Sequence, residues 1–425
     1  MHWALVLVSL ALLGVAAVSR RLEGTPITPA ILFVAFGLLV GPRVLGGIHA
    51  SSSDSAVRVL AEATLAMVLF CDASRVDLGQ LRRAVGLPLR LLGVGLPLTI
   101  LLGAAAAAAL FGRLTVAEAL ILGIVLAPTD AALGQAVVTE QRVPQRIRQG
   151  LNVESGLNDG LCVPLLFAAV ALADLESDIS GGRSAGTLVL EAIGYGVAGG
   201  VVAGVGIAVL IRTAGQRELI DSRWYPVIPV AGAGLAYGLA DALGGSGFIA
   251  AFVAGVAFRL ALGRDPERLN RLTEEVGDIL NGATFILFGA ILLGPALTAL
   301  SWQLVVYAVL SLTVVRMVPV AISMWGTHAG RPTLGFLGWF GPRGLASIVF
   351  AVIVLEESHL PHERLIVDAV YLTVGLSVLV HGLTASPFAG RYASWYESHP
   401  DEQRPAMESA AADFIRPRGA LREAS

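Results

Sequence analysis

The chain has 425 residues, of which 55% are hydrophobic and 14% are charged, with a formal net charge of −3 and a mean hydropathy of +0.75. A soluble domain is usually about a quarter charged, so this composition excludes a soluble globular domain. The near-neutral charge gives no indication of a nucleic-acid partner, and we expect none. Long apolar segments recur from residue 3 to residue 388. They predict an all-α, polytopic protein whose surroundings are a lipid bilayer.

About 13 segments have the length of about 20 mostly apolar residues that a membrane-spanning helix needs. In chain order the predicted spans lie near 3–19, 26–42, 56–72, 86–111, 116–138, 150–173, 186–211, 224–243, 246–263, 275–294, 298–325, 334–355 and 365–388. We interpret the first as a span and not as a cleaved signal peptide, because its charges, Arg20 and Arg21, follow the apolar run instead of preceding it.

The loops between the predicted spans alternate in their arginine content. Loops after odd-numbered spans hold most of the arginines, and loops after even-numbered spans hold few. Because basic loops stay in the cytoplasm, this alternation predicts a protein of the cell (inner) membrane with its N-terminus outside and its C-terminus in the cytoplasm. Residues 1–390 then form the transmembrane domain, and the polar residues 391–425 form a flexible cytoplasmic tail.

Two predicted spans contain a proline among small and polar residues: span 5 reads "LAPTDAA" and span 12 reads "WFGPRGLAS". Proline removes a backbone donor, and backbone groups freed within a membrane must find a partner or line a cavity. If span 7 is a linker, spans 1–6 and 8–13 form two inverted six-helix repeats, and each broken helix is the fifth of its repeat. Such matched breaks are typical of a transporter's midplane binding site. The facing half-helix dipoles favour charges there, namely Asp130 and Arg343.

Six ionisable residues lie at predicted membrane depth, where each costs about 2.5–3.5 kcal/mol to insert and is a functional hypothesis by default. They are Glu62, Asp130, Glu154, Asp159, Arg316 and Arg343. In span 6, Ser155 and Asp159 are four residues apart and share one helix face, while Glu154 and Asn158 share another. A hard monovalent cation prefers oxygen ligands. We therefore predict a cation site built from Asp159, Ser155, Asp130 and Thr129.

Glu154 needs a cation of its own, because an unpaired buried charge is expensive. Arg316 and Arg343 both lie at membrane depth, and the sequence leaves both pairings open. We favour Arg316 for Glu154, which leaves Arg343 for Glu62. In this interpretation all four residues form structural ion pairs that hold helices together.

A buried carboxylate holds its proton more tightly than one in water. A proton and a cation therefore compete for the oxygens of Asp159, and a site that opens to one side at a time exchanges one for the other. Asn158 places an amide where a second carboxylate would add a titrating charge. This favours one proton per monovalent cation, and hence electroneutral exchange. Glu154, Asn158 and Asp159 are the predicted proton-coupling residues.

Four segments, "APTDA", "ESGLNDG", "VVRMVPV" and "GWFGPRG", resemble the monovalent cation:proton antiporter superfamily in its electroneutral NhaP/NHE-type branch. The resemblance implies a homodimer with a dimerisation domain and a six-helix core that moves like an elevator. It also implies that Asp159 is the transporting carboxylate, with Thr129, Asp130 and Ser155 around the ion, and that Glu154 is paired to an arginine. Ala131 departs from the family, since many relatives have proline after the Thr-Asp pair.

Two other classes of function use the same residue types. A cation channel also needs intramembrane acids and carbonyls, but no segment resembles a re-entrant filter. An intramembrane hydrolase with Asp130 and Asp159 as paired acids is the second alternative, although the chain has no "HExxH" pattern and an inverted repeat has no evident purpose in an enzyme. We expect a transporter without enzymatic activity or cofactor. The sequence leaves open whether Na+, K+ or Li+ is carried.

Overall fold

The computed structural model describes residues 2–22, 24–48, 55–75, 86–135, 137, 140–176, 185–263, 267–357, 360–399 and 406–409. All regular secondary structure in these ranges is helical, as the composition predicts. The first six helices are α1 His2–Leu22, α2 Pro29–Val40, α3 Ser55–Arg75, α4 Leu87–Leu110, α5 Val116–Val125 and α6 Gln145–Glu176.

Helix α7, Ala185–Gln216, separates these helices from a second series. That series consists of α8 Val227–Ala242, α9 Gly247–Leu262, α10 Glu267–Leu287, α11 Trp302–Ser323, α12 Arg331–Trp339, α13 Leu345–Glu357 and α14 Glu363–Glu397. Helix α10 continues through a π-helical turn, Phe288–Leu293, into the short segment Gly294–Ala296. A last short helix, α15, spans Ala406–Ser409.

Every predicted span contains at least one helix: span 12 contains the half-helices α12 and α13, and span 5 begins with α5. Among the described residues, seven helices are long and apolar enough to cross a membrane, and five more are apolar but only 10–17 residues long. The multi-pass architecture predicted from hydropathy is therefore confirmed. The number of thirteen crossings stays a prediction, because several of these helices are shorter than a full span.

The helices pack into two bundles. Helices α1–α3 pack with α7–α10, which we call the scaffold bundle, and helices α4–α6 pack with α11–α14, which we call the core bundle. Each bundle therefore takes three predicted spans from each repeat, since α12 and α13 together make up span 12. Helix α7 packs closely on α9 within the scaffold bundle, where a Cβ on Gly200 would lie 2.6 Å from the Ala250 carbonyl oxygen. Small residues permit this close approach.

Both predicted breaks are present, and both belong to the core bundle. Helix α5 ends at Val125 and residues 126–130 are not helical, while residues 340–344 separate α12 from α13. The two non-helical segments touch, since the Asp130 backbone N–H donates to the Pro342 carbonyl at 2.7 Å. Prolines 128 and 342 thus mark the point where two interrupted helices meet.

The outer end of the half-helix α5 is capped by its own residues. At the start of α5, the Thr115 hydroxyl accepts from the Glu118 N–H and the Glu118 carboxylate accepts from the Thr115 N–H, which forms a capping box. The buried Glu118 also accepts from the His362 N–H at 2.8 Å, just before α14 begins. A single carboxylate therefore joins the first residues of α5 to those of α14.

The predicted boundary at residue 390 falls inside α14, which continues to Glu397. Tyr392 is buried within this extension, and Met407 and Glu408 are buried in α15. Residues up to Glu397 and residues 406–409 are therefore helical in the structure, and the flexibility of the tail stays a prediction. The remainder of 391–425 lies outside the described residues.

Candidate functional site

Asp159 lies near the middle of α6 and faces a cleft between the two bundles. Its side chain is 8% exposed. Ser155 and Asp130 line the same cleft on the core side. Three of the four predicted cation ligands therefore share one cavity, and two of the three are carboxylates.

Thr129, the fourth predicted ligand, is held against α6 through both its backbone and its side chain. The Ser155 hydroxyl donates to the Thr129 carbonyl at 2.5 Å, and the Asn158 amide donates to the Thr129 hydroxyl at 2.8 Å. Asn158 and Ser155 are buried. These bonds hold the non-helical part of span 5 beside Asp159. The contact between Asn158 and Thr129 was not predicted, because the sequence analysis considered only the missing charge of Asn158.

Asp130 uses its carboxylate as a cap on backbone groups. One oxygen accepts from the Ala132 N–H at 2.8 Å and the other accepts from the Leu345 N–H at 3.1 Å. Leu345 is the first residue of α13. Negative charge at the amino end of a helix is favourable, because the first N–H groups lack partners and the helix dipole is positive there.

Arg343 has the complementary position at the end of α5. Its guanidinium donates to the carbonyls of Ala127 at 2.5 Å and Pro128 at 3.2 Å, and its backbone N–H donates to the Ser377 hydroxyl at 2.7 Å. Ser347 completes this end of α5 by donating to the Val125 carbonyl at 2.7 Å. The carbonyl groups that the proline break frees are therefore satisfied from the other broken helix.

The predicted pairing of Arg343 with Glu62 is wrong. Glu62 pairs instead with Arg58, one turn earlier on α3, at 2.6 Å. The physical reason is that the backbone carbonyls at the end of a broken helix also accept hydrogen bonds from a guanidinium. A search for partners of Arg343 among acidic side chains alone does not include these carbonyls.

Glu154 and Arg316 form a buried ion pair between α6 and α11. The guanidinium donates to both carboxylate oxygens, at 2.5 and 2.8 Å, and each side chain is 3% exposed. Gly341, in the break of span 12, packs so tightly on Arg316 that a Cβ there would overlap the guanidinium. The pair preferred from sequence is therefore present, and it ties both α6 and the second break to α11.

The scaffold side of the cleft contains polar residues that the sequence reasoning did not select. Asp72 of α3 and Thr273, Asp278 and Asn281 of α10 line the cleft opposite Asp159. Asp72 packs against α6 at Gly156, where a Cβ would lie 3.1 Å from the Asp72 Cβ. An acid within the apolar run "MVLFCDAS" was the available signal, but its position opposite Asp159 depends on how the two bundles pack.

His381 of α14 was also not selected. Its ring nitrogens lie 3.0 Å from the Trp339 carbonyl and 3.1 Å from the Ser377 hydroxyl. Trp339 is the last residue of α12, so His381 holds the end of the half-helix that precedes the second break. A polar residue within the apolar stretch "LSVLVHGL" was the signal for it.

The predicted ligands that line the cleft present oxygen atoms. Within the described ranges, no group of three or more His, Cys, Asp or Glu side chains is placed to hold a metal ion. The cleft instead combines the carboxylates of Asp130 and Asp159 with the Ser155 hydroxyl. Such a set suits a hard cation and not a soft transition metal.

A family model described as "Sodium/hydrogen exchanger, transmembrane" matches residues 7–390. The chain is 25% identical over 423 residues to the K(+)/H(+) antiporter NhaP of Alkalimonas amylolytica, a match that covers 97% of this chain and 71% of that protein. It is 26% identical over 387 residues to the K(+)/H(+) antiporter NhaP2 of Shewanella oneidensis, which covers 87% of this chain and 63% of that protein. The chain thus spans only part of the length of these relatives.

Among solved structures, the fold is similar to that of the sodium proton antiporter MjNhaP1 from Methanocaldococcus jannaschii at pH 8. The TM-score is 0.73 at 19% sequence identity, and the match covers 90% of this chain and 98% of the other.

Proposed function

The chain belongs to the sodium/hydrogen exchanger family of transmembrane proteins, and from this premise we propose that it is a secondary active transporter that exchanges a monovalent cation for protons. The observation that carries the proposal is the position of Asp159 beside Ser155, in a cleft at the crossing of two broken helices. In this proposal the chain has no enzymatic activity and no cofactor, and it serves pH homeostasis.

Asp159 is the exchanging group in this proposal. When its carboxylate is ionised, the cation binds to it together with the Ser155 hydroxyl oxygen and Asp130. The Ser155 proton is directed at the Thr129 carbonyl, so a lone pair of the hydroxyl oxygen is available for the ion. When Asp159 takes up a proton, the cation loses its main charge partner and leaves. Proton and cation therefore compete for one group.

The surrounding charges support electroneutral exchange. Asp130 accepts from two backbone N–H groups and Glu154 is paired with Arg316, so in this proposal neither carboxylate takes part in the exchange of the proton. Asn158 adds no titrating group. The loaded states, protonated Asp159 and ionised Asp159 with one monovalent cation, then carry the same net charge. One proton is exchanged for one cation.

The two bundles support an elevator movement. Thr129, Asp130, Ser155 and Asp159 all belong to the core bundle, while the opposite wall belongs to the scaffold bundle. The cleft is lined by the C-terminal half of α3 and by the N-terminal half of the continuous helix that runs from Glu267 through α10 to Ala296. In the predicted orientation, with the N-terminus outside and the C-terminus in the cytoplasm, these ends face the cytoplasm. The described conformation then corresponds to an inward-open state, and the scaffold bundle forms the homodimer contact.

Na+ and K+ are both candidate substrates. The solved structure is of a sodium proton antiporter, and the two curated relatives are K(+)/H(+) antiporters. Proteoliposomes with an acidic interior test the proposal when Na+, K+ and Li+ are added in turn. Antiport requires that a cation dissipates the pH gradient, and that its half-saturating concentration rises about tenfold per unit of acidification once the site is mostly protonated. A conductive cation current without proton movement would favour a channel instead.

A further inference from the structure

The short helix α15 lies against the core bundle, far along the chain from the elements it touches. Met407 is 6% exposed and belongs to an apolar cluster with Leu87 of α4, Ile147 of α6 and Phe336 of α12. This segment follows a polar stretch of the chain. The residues around Met407 in the sequence are mostly polar and are not stabilised by burial. The burial of Met407 therefore depends on its contacts with the core bundle.

Glu408 supplies the polar part of this contact. Its carboxylate accepts hydrogen bonds from the Gly330 N–H at 2.8 Å and from the Thr333 hydroxyl, and its side chain is 2% exposed. The Thr333 hydroxyl is also 2.9 Å from the Tyr392 hydroxyl of α14. The carboxylate is thus surrounded by residues of α12 and α14, not by solvent.

Gly330 immediately precedes α12 and has no side chain with which to cap it. The first N–H groups of a helix lack internal partners, and negative charge stabilises that end. Glu408 provides both an acceptor and a charge from a position 78 residues later in the chain. α15 also reaches α6, since Arg146 donates to the Met407 carbonyl at 3.5 Å.

We propose that residues 406–409 form a strap that fixes the amino ends of α6 and α12, with Glu408 as a positioning residue for the transport site. Helix α6 carries Glu154 and Asp159, and α12 leads directly into the break that holds Arg343. Arg343 in turn holds the carbonyls next to Thr129. When the strap is released, α12 loses its cap, and the ligand side of the break shifts with it.

The proposal rests on the proposed function for its transport readout, but docking of the strap has an independent readout. Amide hydrogen exchange, followed by mass spectrometry on the full chain, measures protection of residues 330–334. Glu408→Ala removes the whole cap, whereas the milder Glu408→Gln removes only its charge. Glu397→Ala removes an exposed acid at the end of α14 and is the matched control.

We expect Glu408→Ala to speed amide exchange at residues 330–334 about fivefold, as the loss of one helix cap implies, and Glu408→Gln to do so less. The half-saturating cation concentration rises severalfold in Glu408→Ala, while the maximal rate per folded molecule changes little. Thr333→Val removes one of the two hydrogen bonds of Glu408 and gives a smaller rise, and the double variant Thr333→Val/Glu408→Ala rises no further than Glu408→Ala alone, because the two changes share that bond. Glu397→Ala changes neither readout.

Unchanged amide exchange in Glu408→Ala would overturn the strap itself. Faster amide exchange with an unchanged half-saturating concentration would overturn the positioning role. If the wild-type chain moves no cation, the proposed function fails, and amide protection at residues 330–334 alone decides whether the strap exists.

Discussion

Asp130 and Arg343 lie in different broken helices, and each caps a half-helix of the other. The Asp130 carboxylate accepts from the first N–H of α13, and the Arg343 guanidinium donates to the carbonyls that follow α5. A negative charge thus meets the positive end of one helix dipole and a positive charge meets the negative end of another. The two side chains thus stabilise opposite helix ends at the crossing, next to Asp159.

The tightness of this crossing leads to the first prediction. A Cβ on Gly344 would overlap the Asp130 carboxylate, whereas a Cβ on Gly335 of α12 meets nothing within 4 Å. We expect Gly344→Ala to displace Asp130 from the start of α13, at a cost of about 1–3 kcal/mol of overpacking, and to abolish most exchange. Gly335→Ala retains wild-type exchange. Equal activity of the two variants in proteoliposomes would show that the crossing tolerates displacement of Asp130.

The second prediction concerns the buried pair of Glu154 and Arg316. Removing one partner leaves an uncompensated buried charge, so we expect Arg316→Met to destabilise the protein by about 3–5 kcal/mol. The double variant Glu154→Gln/Arg316→Met should be less destabilised, because no charge is left alone. The melting temperature in detergent, followed by tryptophan fluorescence, measures this order.

The exposed pair of Arg271 and Glu275, 3.0 Å apart, is the control for that comparison. Exposed pairs contribute about 0–1 kcal/mol, so Arg271→Met should scarcely change the melting temperature. A double variant at Glu154 and Arg316 that melts below the Arg316→Met single variant would indicate that the pair stabilises by more than mutual neutralisation.

The third prediction concerns charge movement. If Asp159 exchanges one proton for one monovalent cation, turnover transfers no net charge. The rate in proteoliposomes should then be the same with and without thiocyanate, a permeant anion that collapses any membrane potential. Acceleration by thiocyanate would reveal electrogenic exchange, and would mean that a second group besides Asp159 takes up a proton.

Much of the fold follows from hydropathy, because the length of an apolar run decides whether a helix can span a membrane. The two breaks were predictable for a local reason as well, since Pro128 and Pro342 each remove a backbone donor among small residues. The position of Ser155 and Asp159 on one face follows from helix geometry alone. These features depend on residues that are close in sequence.

The features that were not predicted depend on contacts between distant segments. Arg343 binds backbone carbonyls, which a comparison of charged side chains does not reveal. Asp72 faces the cleft only because α3 packs beside α6, with Gly156 at the contact. Glu408 belongs to a polar stretch whose composition indicates disorder. Its burial depends on the N-terminus of α12, where Gly330 has no capping side chain and its N–H donates to Glu408 instead.

The most direct test of the proposed exchange is proton flux in proteoliposomes that contain either wild type, Asp159→Asn or Asp174→Asn. Asp174 lies near the C-terminal end of α6 and is the matched control for the loss of one carboxylate. We expect added cation to dissipate the pH gradient for wild type and Asp174→Asn, and to have no effect for Asp159→Asn. Exchange by Asp159→Asn at the wild-type rate would contradict the assignment of Asp159 as the group for which cation and proton compete.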